Sequence, residues 1–203
     1  MIAAVVPACG RSTRMGRPKL SLPLGGRTVI EHVVAALRDG GADPVLVVVG
    51  PHVPELAPLA EAAGAEVCRL PEPTADMRAT IEHGLRWLEE RRRPRSEDFW
   101  LLAPADHPAL DAGVVRRLCA AATADPGRSI VVPSHAGRRG HPTLIAWRHV
   151  EGIRALPAGQ GINAYLRRFE SETLEVPVAD PGVRADLDTP EDYDRLREGG
   201  RGR

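Results

Sequence analysis

Met1-Ile2-Ala3-Ala4-Val5-Val6-Pro7-Ala8-Cys9-Gly10-Arg11-Ser12-Thr13-Arg14-Met15-Gly16-Arg17-Pro18-Lys19 is the stretch whose reading decides the fold. Ile2 to Val6 is apolar, short and rich in β-branched residues, which predicts a strand buried on both faces rather than a helix. The loop that follows carries small residues, Gly10, Gly16 and the cations Arg11, Arg14, Arg17 and Lys19. In an open α/β sheet, ligands bind beyond the carboxyl ends of the strands, where this loop would lie. Glycines let backbone amides approach a phosphate, and Arg14 and Lys19 can neutralise its charge. The spacing excludes a P-loop, because Lys19 follows Gly16 by three residues instead of one, and no G-x-G-x-x-G fingerprint is present.

Outward from this loop, elements alternate. Gly25-Gly26 is a turn, and Thr28 can cap a helix whose apolar face is Val29, Ile30, Val33, Val34 and Leu37, ended by Gly40-Gly41. Val45 to Val49 is a second buried strand. Pro54 to Ala63 has helical spacing, and Ala65 to Arg69 is a short strand. Asp76 can cap a helix with the core stripe Ile81, Leu85 and Leu88, with Met77 and Trp87 in support. Phe99 to Ala103 is a fourth strand running into Pro104-Ala105-Asp106-His107-Pro108, and Asp111 can cap the helix Val114 to Ala122. Strands Ser129–Pro133, Thr143–Ala146 and Thr173–Val178 follow, with two helical segments between Trp147 and Phe169. This order predicts a three-layer α/β/α, Rossmann-like domain with a mostly parallel mixed central sheet. A single domain is expected over 1–198, with a flexible glycine-rich tail over 199–203.

Bulk properties narrow the function. The chain has 203 residues and balanced charge, 27 cations against 27 anions, which argues against nucleic-acid or membrane-surface binding. Aromatic residues make up only 3%, too few for base-stacking platforms. Cys9, Cys68 and Cys119 have neither metal-ligand nor disulfide spacing. With no membrane-span or signal-peptide pattern, a cytoplasmic protein is expected.

Two acidic positions stand out. Asp106 lies just past the end of a central strand, on the side of the first loop. Mg²⁺ takes one or two carboxylates plus substrate phosphates, which makes Asp106 the leading metal ligand. In Ala185-Asp186-Leu187-Asp188-Thr189-Pro190-Glu191-Asp192, capping explains Thr189, Pro190 and Asp192 but leaves Asp186 and Asp188 unexplained.

The run Gly10-x-Ser12-x-Arg14-Met15-Gly16-x-x-Lys19 resembles the G-x-S-x-R-M-G-x-x-K signature of the MobA-like nucleotidyltransferases. Three further stretches resemble that family in the right order: the Asp106 turn, Arg139-Gly140-His141-Pro142, and the Asp188 segment, similar to D-I-D-T-P-E-D. Met77 to Ile81 is similar to the family's G-M-x-x-S-L. The resemblance implies transfer of a nucleotidyl group from an NTP to a phosphorylated acceptor. Backbone amides of Ala8, Cys9 and Gly10 would bind the nucleotide, with Arg14 and Lys19 on the triphosphate. Mg²⁺ would be held by Asp106 and Asp188. Thr80 has two readings, a hydroxyl facing the nucleotide or one facing solvent. Gly140 and His141 would border the acceptor, though His141 also suits a buried turn. His107 departs from the family's glutamine or methionine and fits a solvated or hydrogen-bonded structural role.

Gly16-Arg17-Pro18-Lys19-Leu20 and Gly140-His141-Pro142 look most like the molybdenum-cofactor cytidylyltransferases, implying CTP and molybdopterin as substrates. Gly159 to Asn163 departs from that pattern, which keeps open a guanylyl donor or another small phosphorylated acceptor. A third alternative is a non-catalytic cofactor carrier serving a molybdenum hydroxylase client. Pro7 and Cys9 replace the usual leucine and alanine.

Overall fold

The computed structural model describes residues 1–10 and 12–199. Its central sheet runs in the order β10-β7-β9-β6-β1-β4-β5. In chain order the strands are β1 (Ile2–Ala8), β4 (Val45–Val49), β5 (Glu66–Arg69), β6 (Phe99–Leu102), β7 (Ile130–His135), β9 (Thr143–Ala146) and β10 (Thr173–Pro177). A separate two-stranded hairpin joins β2 (Pro23–Leu24) to β3 (Arg27–Thr28), and the short β8 (Arg138–Arg139) pairs with the end of β7. β1 runs parallel to both β4 and β6, and β10 runs parallel to β7; β9 is antiparallel to its two neighbours, β6 and β7, and the short β8 is antiparallel to β7.

Two apolar layers cover the sheet. On one face lie α1 (Val29–Asp39), α2 (Leu56–Ala62), α4 (Ala112–Ala124) and α7 (Pro190–Gly199). On the other lie α3 (Met77–Arg92), α5 (Val150–Arg154) and α6 (Ile162–Leu166). The expected face of α1, Val29, Ile30, Val33, Val34 and Leu37, is wholly buried. Each such side chain removed from water is worth about 1.5–3 kcal/mol, which dwarfs helix propensity. The first turn of α1 is secured by Glu31, which accepts hydrogen bonds from the Thr28 backbone and hydroxyl. Asp76 caps α3 by accepting from Ala79 N at 2.8 Å.

Three sequence expectations need correction. β1 runs through Pro7 to Ala8 rather than stopping at Val6. Ala103 N donates to Val5 O and Ala4 N donates to Pro44 O, so alternate residues face β6 and β4. Pro7 shares the β6-facing side of Val5 but lies past the last paired residue of β6, so its missing N–H breaks no ladder bond. Met77 does not support the core; at 63% exposure it lines a cleft from the first turn of α3. Of the tail expected over 199–203, Gly199 belongs to α7 as its last residue, and 200–203 lie outside the described residues.

Strand order reverses at β1: the chain moves one way to β4 and β5 and later returns to β6 on β1's other side. That reversal opens a crevice at the carboxyl ends of β1 and β6, where doubly wound sheets bind ligands.

Candidate active site

The crevice is a cleft of about 260 Å³ lined by Gly10, Ser12, Arg14, Lys19, Asp106 and Asp188, among others. Three stretches far apart in sequence build it.

The first loop is pinned from below. Met15 and Leu20 are buried, and Ile30 N donates to Leu20 O at 3.0 Å. Lys19 N donates to Ser12 Oγ at 3.2 Å, drawing the two ends of the loop together. This fixes the Lys19 backbone and sends its side chain across the cleft, where the side chain is only 14% exposed.

Asp106 follows β6 by four residues, on a turn whose Ala103 and Ala105 are buried. Leu187 N donates to Asp106 O at 2.8 Å and the Leu187 side chain is fully buried. That backbone bond ties the turn to the acidic segment and leaves Asp188 facing the cleft. Asp192 fixes the far end of the segment by accepting from Asp188 N, Thr189 N and the Thr189 hydroxyl.

The charged groups meet at Lys19. Its Nζ donates to Asp106 Oδ2 at 2.7 Å and to Asp188 Oδ1 at 2.9 Å. Arg14 Nη1 lies 2.9 Å from Asp188 Oδ2, and His107 Nδ1 donates to Asp106 Oδ1 at 3.1 Å. Burial opposes the charge on Asp106, but the hydrogen bonds from His107 and Lys19 and the Lys19 charge outweigh it. The carboxyl is held well below the usual carboxylate range. Burial also opposes the charge on Lys19, and its bonds to the two carboxylates again prevail, raising its pKa. Both ions are therefore fully charged at neutral pH.

Of the remaining sequence candidates, only Gly10 is part of the cleft lining among the described residues. Ala8 is buried at the end of β1. The Cys9 thiol turns away to donate to Val48 O, and burial pushes its pKa up, so it is no activated nucleophile. Gly10 lines the cleft. Thr80 is buried, contrary to the solvent-facing reading, and its hydroxyl is paired with Thr74 Oγ1 at 2.6 Å. Its burial follows from its place on the sheet-facing side of α3, one residue before Ile81 and four before Gly84.

Gly140 meets a tight approach: a Cβ there would lie 2.4 Å from Val183 O. The neighbouring His141 N donates to that same carbonyl at 2.7 Å, so this turn props up the segment leading to Asp188. The His141 ring packs edge-on against His107 with centroids 5.4 Å apart. Burial, then the nearby His107, push the His141 imidazole down to about 4, so it is neutral at physiological pH. His107 is itself buried and hydrogen-bonded, not solvated.

Sequence reasoning did not find Met77, Pro7 or Pro104 in the cleft wall. Position at a strand end was the signal for Pro7 and Pro104, and the likeness of Met77–Ile81 to G-M-x-x-S-L was the signal for Met77. Among the described residues no group of three or more His, Cys, Asp or Glu side chains could hold a metal, so a cation here would rely on two carboxylates and on ligands brought by substrate. Hard carboxylate oxygens converging beside a phosphate-sized cleft suit Mg²⁺ by donor chemistry.

Residues 4–174 match the family model described as the MobA-like NTP transferase domain. The chain is 30% identical over 186 residues to a molybdenum cofactor guanylyltransferase of Rhizobium meliloti, covering 86% of this chain and 78% of that one. It is 26% identical over 203 residues to a nicotine blue oxidoreductase of Paenarthrobacter nicotinovorans, covering 96% of each. Among solved structures it is similar to a Mycobacterium tuberculosis H37Rv protein, with a TM-score of 0.82, 26% identity and 98% of both chains covered.

Proposed function

The chain belongs to the MobA-like NTP transferase family, and from that premise we propose that it transfers a nucleoside monophosphate from an NTP to a phosphorylated acceptor of the molybdopterin type. The single observation that carries this reading is the convergence of Lys19, Asp106 and Asp188 at the carboxyl ends of β1 and β6.

In the proposed reaction a phosphate oxygen of the acceptor forms a bond to the α-phosphorus of the NTP, and the bond to the bridging oxygen of pyrophosphate breaks. The displaced electron pair leaves with pyrophosphate, so no covalent enzyme intermediate is required. Catalysis then rests on positioning and charge stabilisation. Amides from Ala8 to Gly10 hold the nucleotide, while Arg14 and Lys19 neutralise the triphosphate and the charge growing on the leaving oxygen. Asp106 and Asp188 would hold Mg²⁺, which when bound supplies Lewis-acid neutralisation of phosphate charge. His141, neutral and packed against His107, borders the acceptor side with Gly140. Thr80, whose hydroxyl is paired with Thr74 Oγ1, supplies the hydroxyl assigned to the nucleotide side.

CTP is the favoured donor because Gly16-Arg17-Pro18-Lys19-Leu20 resembles the cytidylyl branch. GTP is the second reading, favoured by the guanylyltransferase name of the 30% identical relative. Pyrophosphate release from each of the four NTPs, with Mg²⁺ and with or without molybdenum-loaded molybdopterin, separates them. Cofactor-dependent release with CTP supports the first reading and with GTP the second. Release that ignores molybdopterin for every NTP would overturn the choice of acceptor.

A further inference from the structure

All four oxygens of the two candidate metal ligands are engaged by donors of the protein itself. Lys19 takes Asp106 Oδ2 and Asp188 Oδ1, His107 takes Asp106 Oδ1, and Arg14 takes Asp188 Oδ2. The Arg14 side chain is 72% exposed and holds its partner loosely, whereas Lys19 is enclosed between the carboxylates. Its backbone is fixed by Ser12 Oγ and, one residue on, by the bond from Ile30 N to Leu20 O. Only the four-carbon stem of Lys19 is free to swing, and its compact ammonium can exchange one set of anionic oxygens for another.

Resting on the nucleotidyl-transfer reading of this cleft, we propose that Lys19 is an internal stand-in for the divalent cation. It occupies the carboxylate pair until the phosphates of a nucleotide draw it off. A bare cation meets carboxylates already neutralised by a fixed positive charge and binds weakly. A triphosphate entering between Gly10, Ser12 and Arg14 offers the ammonium a denser anion, and the vacated oxygens then accept the cation. Cation and nucleotide thereby bind as a coupled pair, and by linkage each tightens the other. The arrangement also keeps the acidic pair from collecting divalent cations in the absence of substrate.

Direct Mn²⁺ binding, read from the free-ion EPR signal, tests this without turnover. Without nucleotide, Lys19→Met is expected to bind Mn²⁺ at least tenfold more tightly than the wild type. Arg17→Met is the charge control. It removes a cation from the same loop whose guanidinium lies over the Tyr193 ring at 5.2 Å and pairs with neither carboxylate. It should change Mn²⁺ affinity by less than about threefold. A non-hydrolysable CTP or GTP analogue, corrected for Mn²⁺ bound by the analogue alone, should tighten Mn²⁺ binding more in the wild type than in Lys19→Met. Lys19→Gln keeps a hydrogen-bond donor between the carboxylates and serves if the methionine variant melts early.

Two outcomes overturn the stand-in role while leaving the metal assignment intact: Lys19 variants that bind Mn²⁺ no better than the wild type, or an equal gain in Arg17→Met. Saturable binding in none of the proteins, with or without analogue, would overturn the metal assignment itself and the stand-in role with it.

Discussion

Asp106 illustrates how much one residue's surroundings decide. Its carboxylate is held by Lys19 and His107, and its backbone oxygen by Leu187 N, so the group is fixed from both ends. Asp106→Asn keeps the shape and the backbone bond but removes the charge. Under the proposed reaction it should lower kcat by about 100-fold or more, a size typical of losing one electrostatic group in a preorganised site. The melting temperature should stay within a few degrees of wild type. A kcat within threefold of wild type would take Asp106 out of the chemistry. Asp106 and Lys19 stood out in the sequence as charged groups following apolar strands, and Asp188 as a carboxylate that helix capping left unexplained. The pairing of Lys19 with both carboxylates was not legible, since it depends on three loops meeting in space. The sequence left Thr80 open between nucleotide and solvent, and only the rotation of α3 against the sheet settles that its side chain is buried.

α3 presses on the sheet through Gly84, where a Cβ would come within 2.9 Å of Val48 Cγ2 and Val5 Cγ1. Neither valine is a flexible chain end, so Gly84→Ala should destabilise the fold by about 1–3 kcal/mol through overpacking. Thermal unfolding checks it; an unchanged melting temperature would mean the helix can lift off at no cost. The stripe Ile81, Leu85 and Leu88 announced which face of α3 is buried, but a glycine within it does not say what it touches.

On the same side of the sheet, His149 sits in a closed network. Tyr165 OH donates to its Nδ1 at 3.2 Å, while Nε2–H donates to Ser129 Oγ, which in turn donates to Glu172. Burial, partly opposed by Glu172, holds the His149 pKa below its ordinary value. The unfolded chain therefore takes up a proton near pH 6.5 that the folded chain resists. Stability should fall as pH drops below about 6.5, until the folded-state pKa is reached. His149→Gln should flatten that part of the melting-temperature profile, and an unchanged slope would assign it to other groups.

At the scale of the whole molecule, the α/β/α architecture was readable because buried strands and amphipathic helices have different periods and lengths. Gly25-Gly26 and Asp76, Asp111 and Thr189 marked turns and caps by local chemistry alone. A mostly parallel mixed sheet was readable, but which strand runs against the others was not: Thr143–Ala146 has the same apolar composition whether parallel or antiparallel, and its reversal in β9 is set by how the chain returns to β6. Nor did composition reveal β8, whose two exposed arginines carry no strand pattern. The topology nevertheless does what the first loop required, bringing Gly10, Ser12, Arg14, Lys19, Asp106 and Asp188 to one crevice at the reversal of strand order.

The central claim, that this crevice moves a nucleotidyl group, is tested most directly by following the label of a radioactive NTP. The enzyme is incubated with Mg²⁺, molybdenum-loaded molybdopterin and CTP or GTP labelled at either the α- or the γ-phosphate. Nucleotidyl transfer puts α-label into the pterin product and γ-label into pyrophosphate, with both signals lost in Asp106→Asn. Label from the γ-phosphate appearing in the acceptor or in free phosphate, with none from the α-phosphate transferred, would contradict it.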